Sequence, residues 1–360
     1  MRFTTFAGGG LAVLLFAHHA AAHHPGGAGN VGGAGPIVTI SAETLAQGQS
    51  AVSVMFEMTK VGAFSDAKLI DLASKHIHAH SLDAILAPSL AMAYGITSNL
   101  MISARIPYIA RTDIREGHHS HVHGGGSVNE VVERGDSEGL GDLSAMLQWR
   151  FLNDRAAGTQ WALLGGVKAP TGSTDRRDRE GERFELEFQP GTGSWDWMAG
   201  LAVSQSLGRL SLHANVLHTF SGKGDLDTDL GDRLQVNLAA AYRLVGGTIA
   251  SGPPMRLGAP MYHGAGRSLK DDHHHEEPAS GGLALDGVLE LNTEWHARQT
   301  IDGVKDDNSG GSVAYLSPGL RLSSDRWSSF VSVGIPVSRN LYGVQAEPDY
   351  RLLSGVAVSF

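Results

Sequence analysis

Histidine is the side chain through which this sequence could do chemistry. The chain holds 18 of them, most in bunches. His76-Ile-His78-Ala-His80 has period-two spacing, so in extended backbone the three imidazoles leave one face, neighbours about 7 Å apart. At that reach two of them can share a zinc, copper or nickel ion. His118-His119-Ser-His121-Val-His123 repeats the arrangement ahead of Gly124–Gly126. Asp271-Asp-His273-His274-His275-Glu-Glu277 adds carboxylates, with Met255, Met261 and His263 upstream, and His23-His24 make a further pair. Two other readings stand beside metal ligation. The bunches can be solvated low-complexity loops with incidental affinity, or a pH sensor, since imidazoles charge near pH ~6.5.

A second set of charged residues recurs on the polar side of alternating stretches: Arg105, Arg111, Arg150, Lys168, Arg243, Arg298 and Arg351 with Asp142, Asp196, Glu290, Glu294 and His296. Sharing one inner face, they would line a transport path or pair into networks that brace a bore. Pairing is the cheaper state, because an unpaired charge is costly to bury in a narrow lumen.

The elements that must hold these residues are strands. The last dozen residues show the pattern, with Tyr350, Leu352, Val356, Val358 and Phe360 on one face and Asp349, Arg351, Gly355, Ala357 and Ser359 on the other. Gly141–Phe151 repeats it, Leu143, Ala145, Leu147, Trp149 and Phe151 opposing Asp142, Ser144, Gln148 and Arg150. About twelve such stretches occur between residue 48 and residue 360, an even number as bacterial single-chain barrels require. Short connections at Asn153–Gly158, Gly208 and Ser323–Arg326 alternate with long ones at Gly62–His80, Thr112–Glu138, Thr171–Gly193, Gly222–Gly231, Asp302–Gly311 and Ser338–Glu347. Short periplasmic turns and long outer loops have that asymmetry. The expected fold is therefore all-β, an antiparallel up-and-down transmembrane β-barrel of about twelve strands. A soluble periplasmic metal-binding β-sandwich is the rival reading.

Composition narrows the function. The absence of cysteine rules out disulfides, Cys-ligated zinc and a thiol nucleophile. A formal charge of -9 with no basic stripe argues against nucleic acid. Neither a Gly-x-Ser-x-Gly elbow nor a phosphate-binding Gly-x-x-x-x-Gly-Lys-Ser/Thr loop is present, so no enzymatic activity is expected. Arg2, the apolar Leu11–Ala17 and small Ala20-Ala21-Ala22 read as a signal peptide over residues 1–22. Residues 23–47 then read as a flexible His/Gly-rich leader, and 245–282 as a long periplasmic His-rich insertion.

Several runs resemble a bacterial outer-membrane family. They are Gly139-Leu-Gly-Asp-Leu-Ser-Ala-Met-Leu-Gln-Trp-Arg-Phe151, Gly165-Gly-Val-Lys-Ala-Pro-Thr-Gly172, Gln189-Pro-Gly-Thr-Gly-Ser-Trp-Asp196, Leu316-Ser-Pro-Gly-Leu320 and Glu347-Pro-Asp-Tyr-Arg-Leu352. In order and spacing they are similar to the family known as putative MetA-pathway of phenol degradation, often called transporters. The resemblance implies an outer-membrane channel for small solutes, with a substrate class of small organic or aromatic compounds. The histidine-rich insertions depart from the family and suggest a link to divalent metal ions instead. No obligatory cofactor is expected; zinc, copper or nickel at the histidine loops is the candidate. The expected partners are outer-membrane lipid, the solute or metal ion, and the barrel-assembly machinery through the C-terminal Phe360.

Overall fold

The structure, a computed structural model, describes residues 35–122, 126–246 and 282–360. The signal-peptide stretch, His23-His24, the His121 side chain, His123 and the 245–282 insertion with His273–His275 fall outside the described residues, apart from the insertion's edges. Twelve long strands form the wall: β1 Ser50–Gly62, β2 Ser89–Thr97, β3 Leu100–Val122, β4 Leu143–Asp154, β5 Thr159–Ala169 and β6 Asp196–Leu207. β7 Leu210–Phe220, β8 Arg233–Val245, β9 Ala284–His296, β10 Gly311–Ser323, β11 Trp327–Leu341 and β12 Glu347–Ser359 complete it.

Each pairs antiparallel with its chain neighbours, and β1 pairs with β12 from Ala51↔Ser359 to Gly62↔Glu347, which closes the barrel. Closure leaves no unpaired edge, the condition for crossing lipid with strands. Alternation supplies the lipid face. Val54, Leu147, Trp149, Trp197, Leu238, Leu291, Val331 and Val356 point outward and are exposed on the isolated chain, while Gln148, Arg150, Asn237 and Asn292 point inward and are buried. Aromatics fall at two levels. Trp149, Phe151 and Phe360 stand toward the rim of the termini, and Tyr108, Trp197 and its cross-strand partner Phe220 toward the other. Amphipathic rings at two levels make the interfacial girdles of a membrane barrel.

The short turns, 155–158, 208–209 and 324–326, share the rim of the chain ends with Val245 and Ala284, the strand ends that flank the long insertion, and the other long connections emerge at the opposite, outer rim. Two of these long connections are more ordered than the sequence reading expected. Thr112–Glu138 is no loop but a β-hairpin, in which the upper half of β3 pairs with Gly126–Leu140. The Gly62–His80 stretch contains helix α1, Asp66–Ser74. Ser65 caps it by accepting the Lys68 N–H, and Leu69, Leu72 and Ala73 are buried, at spacings that put them on one helical face.

The largest departure concerns the leader. Residues Pro36–Leu45, part of the stretch read as a flexible leader, run inside the bore and are buried apart from partly buried Glu43 and Thr44. The physical reason is a set of inner-wall acceptors that satisfy their backbone. The N–H groups of Ile37, Val38 and Thr39 all donate to Glu290 of β9, at 2.9–3.2 Å. The Ile40 N–H donates to Asn215 of β7 and the Ala42 N–H to Ser204 of β6, each at 2.9 Å. Arg321 of β10 donates to the Pro36 carbonyl, and Gln148 of β4 to the Ser41 and Glu43 carbonyls. Room comes from small inner residues. Ala51, Ala91, Ala93, Ala162, Ala202, Ala241 and Ala357 face the segment's side of the lumen. At Gly319 a Cβ would stand 2.6 Å from Ile37 Cδ1.

Candidate functional site at the outer mouth

Above the buried segment the lumen opens into a cavity of about 440 Å³ under the outer loops. Its wall is of two kinds. Leu82, Ile85, Phe188 and Val304 are apolar, while His78, His80, Arg111, Lys168, Glu187 and Asp196 are polar or charged.

The loop between β5 and β6 shapes this cavity, and three of the charged residues read from the sequence anchor it. Lys168 Nζ lies 3.1 Å from Asp142 and 2.9 Å from Asp196, all three almost fully buried. Asp142 also accepts the N–H groups of Gly172 and Thr192 at 2.8 and 2.9 Å. At this knot the two ends of the loop touch through glycine. A Cβ on Gly172 would lie 2.6 Å from Gly191 Cα, so neither position can carry a side chain. Beyond it Arg111 donates to the Phe188 and Gln189 carbonyls, holding the loop over the bore. Thus the Gly139–Phe151, Gly165–Gly172 and Gln189–Asp196 motifs meet at one point.

The remaining predicted lumen residues fall as follows. Arg351 sits between Glu57, at 3.8 Å, and Glu294, at 3.3 Å, over the Tyr315 ring. Arg243 pairs with Asp286, Arg105 donates to Ser89 at 3.0 Å, and Arg150 donates to Gln160 at 2.8 Å. Glu290 holds the buried segment, and His296 lines the cavity. Arg298 does not belong to the inner face. β9 ends at His296, and Arg298, beyond the strand, stacks over Tyr342 at 4.5 Å. Half of the twelve, Lys168, Asp142, Asp196, Arg243, Arg351 and Glu294, therefore brace the wall in buried ion pairs. The partners Glu57, Asp286 and Arg321 and the ladder Asn215–Asn237–Asn292–Ser317 were not singled out from the sequence. Their only signal is inward register on alternating strands.

The histidines divide. The chain leaves α1 at Lys75, and His76 takes a left-handed backbone, φ 58°, so the His76–His80 stretch is not uniformly extended. His80 is the cross-strand partner of Glu116 on β3, and His78, two residues earlier, shares its face. His78 Nε2 lies 2.8 Å from Glu116, and His80 Nε2 lies 4.0 Å from Glu116 and 3.9 Å from Glu185. His80 Nδ1 is 3.5 Å from Glu187. The hydrogen bond to Glu116 raises the His78 pKa above its ordinary value. Burial pushes the Glu187 carboxyl up, against the pull of His80. His76 instead meets the His119 ring edge-on, 4.4 Å between centroids. Among the described residues, His76, His118 and His119 are not brought within ligand distance of this group. Glu116, Glu185 and Glu187, missed in the sequence, complete it. Their one sequence signal is acidity next to loops that turn out to converge.

A serine–histidine chain also exists, Ser204–His213–Ser211, with contacts of 2.9 and 3.0 Å. It lies under Ala42 in the packed bore, with Ser204 bonded to the segment above it.

The closed wall, outward apolar band and paired girdles are those of an outer-membrane barrel. Among solved structures, an outer membrane channel from Pseudomonas putida F1 aligns with TM-score 0.49 and 13% identity, covering 89% of this chain and 98% of that one. LpxR from Salmonella typhimurium aligns with TM-score 0.41 and 14% identity, covering 86% and 99%. A Pseudomonas aeruginosa FadL homologue gives TM-score 0.38 and 8% identity, covering 92% and 96%. No curated protein matches the chain by sequence. Residues 111–259 match the family described as "Putative MetA-pathway of phenol degradation", the family to which the chain's own motifs pointed.

Proposed function

We propose that this outer-membrane barrel is a channel for small organic solutes that carry a polar or charged group on an apolar body. The carrying observation is the outer cavity. Its volume of about 440 Å³ is that of a small-molecule site, and its wall combines apolar Leu82, Ile85 and Phe188 with charged Arg111, Lys168 and Asp196. A solute of that kind satisfies both halves, whereas a bare metal ion leaves the apolar half unused. The buried pairs below the cavity argue for a fixed wall, and Pro36–Leu45 is the barrier a solute must displace. Catalysis is not part of this reading, since Ser204 and His213 are buried and Ser204 is bonded to the Ala42 N–H of that segment.

Liposome swelling tests the reading. Vesicles containing the purified barrel should swell faster in small aromatic carboxylates than in sugars of equal mass or in zinc salts. Equal rates for all three, or fastest swelling in the zinc salt, would overturn it. Among the described residues, His76, His78, His80, His118 and His119 gather at the mouth rather than in the bore, which makes a metal ion a signal in this account and not the cargo.

A further inference from the structure

We infer that His78, His80 and Glu116 form a binding site for one divalent transition-metal ion, with Glu185 reaching the remaining position. The inference goes beyond the channel reading and does not require conduction.

Three facts carry it. The first is donor chemistry. Two imidazole Nε2 atoms and a carboxylate from separate segments present their ligand atoms within 4.8 Å of one another. Tetrahedral zinc with bonds of about 2.0–2.1 Å needs ligand atoms about 3.3–3.4 Å apart. The contacts of His78 and His80 with Glu116, 2.8 and 4.0 Å, bracket that spacing, and Glu185, 3.9 Å from His80, would swing in to complete the set. Mixed nitrogen and carboxylate donors favour zinc, copper or nickel over calcium or magnesium.

The second is orientation of the ligands. A metal-bound histidine commonly donates its other ring N–H to a carboxylate, which fixes the tautomer. His80 is placed for it, with Nε2 toward the site and Nδ1 3.5 Å from the Glu187 carboxylate. Glu187 is itself held by Gln299 Nε2 at 2.8 Å. Glu116 is steadied from behind by Arg134 at 2.8 Å, which also pairs with Asp178 on the loop between β5 and β6. The third is placement. His78 and His80 follow α1, Glu116 stands on the β3 hairpin, and Glu185 belongs to the β5–β6 loop. An ion there would join three separate segments around the cavity.

The test uses the full chain in detergent, with His273→Ala, His274→Ala and His275→Ala introduced first to remove the separate histidine tract. Isothermal titration with zinc chloride should lose one equivalent of zinc, or weaken it at least about tenfold, on His80→Ala. His78→Ala should do the same, and Glu187→Gln should weaken it less. Heat-modifiable mobility on gels verifies that each variant is folded. Trypsin supplies a second readout, because Arg176, Arg177, Arg179 and Arg183 lie on the joined loop. Zinc should slow cleavage there in the parent and not in His80→Ala. Identical zinc isotherms for parent and His80→Ala, or zinc protection that survives His80→Ala, would overturn the site and leave an ion-pair cluster only.

Discussion

Replacing Glu290 by Gln perturbs the contact that best explains why Pro36–Leu45 stays in the bore. The carboxylate receives three backbone N–H groups, from Ile37, Val38 and Thr39. Hydrogen bonds to a charged acceptor contribute about 1.5–3 kcal/mol each. Glutamine keeps one acceptor oxygen and turns an NH₂ toward donors, so one to two of these bonds are lost, roughly 1.5–6 kcal/mol. At about 1.4 kcal/mol per factor of ten, the displaced state gains at least about 10-fold in population. The chain has no cysteine, so Ser41→Cys creates a single probe that is 3% exposed at rest. Maleimide labelling of that thiol in folded barrels should accelerate with the population gain when Glu290→Gln is added. Unchanged labelling in the double variant would refute the claim that Glu290 retains the segment.

Other perturbations follow from the same geometry. Gly319→Leu places a side chain where Ile37 Cδ1 now lies, and also against the Val331 carbonyl at 2.8 Å; it should raise Ser41→Cys labelling in barrels that remain heat-modifiable. Lys168→Met leaves Asp142 and Asp196 buried without their cation, a loss of about 3–5 kcal/mol. It should lower the temperature of the heat-modifiable transition and expose the β5–β6 loop to trypsin; an unchanged transition would contradict the knot. Leu238→Arg puts a charge on the lipid face at mid-strand and should cost about 2–4 kcal/mol in a bilayer, read by urea unfolding in vesicles. The His78–Glu116 contact gives a pH prediction in metal-free protein. Because the folded His78 pKa is raised, its stabilisation is complete below the ordinary value and is lost as pH rises through the folded value. NMR titration should place the His78 midpoint above 6.5, and Glu116→Gln should return it toward that value.

Much of the wall was legible because a strand buried on one face reports itself every second residue. Leu147, Trp149 and Phe151 against Gln148 and Arg150 fix both the strand and its facing. Turn length then orients the barrel. What the period does not encode is which inner residue meets which, since register between strands comes from the whole closed sheet. Lys168 was legible as inward, but its pairing with both Asp142 and Asp196 was not. The burial of Pro36–Leu45 is not legible in the sequence, because its N–H groups bond to Glu290, Asn215 and Ser204, each more than 160 residues away, and nothing in Ile37-Val-Thr-Ile40 announces that. The candidate metal group was half legible. His78 and His80 share a face by spacing, but the left-handed turn at His76 separates the third histidine, and Glu116 enters only through the β3 pairing.

The most direct test is planar-bilayer recording of the purified full chain and of a version lacking residues 36–45. The shortened barrel should show stable ohmic steps larger than any seen with the full chain, because the same wall then encloses an open bore. A shortened barrel that inserts, remains heat-modifiable and passes no current would contradict the channel.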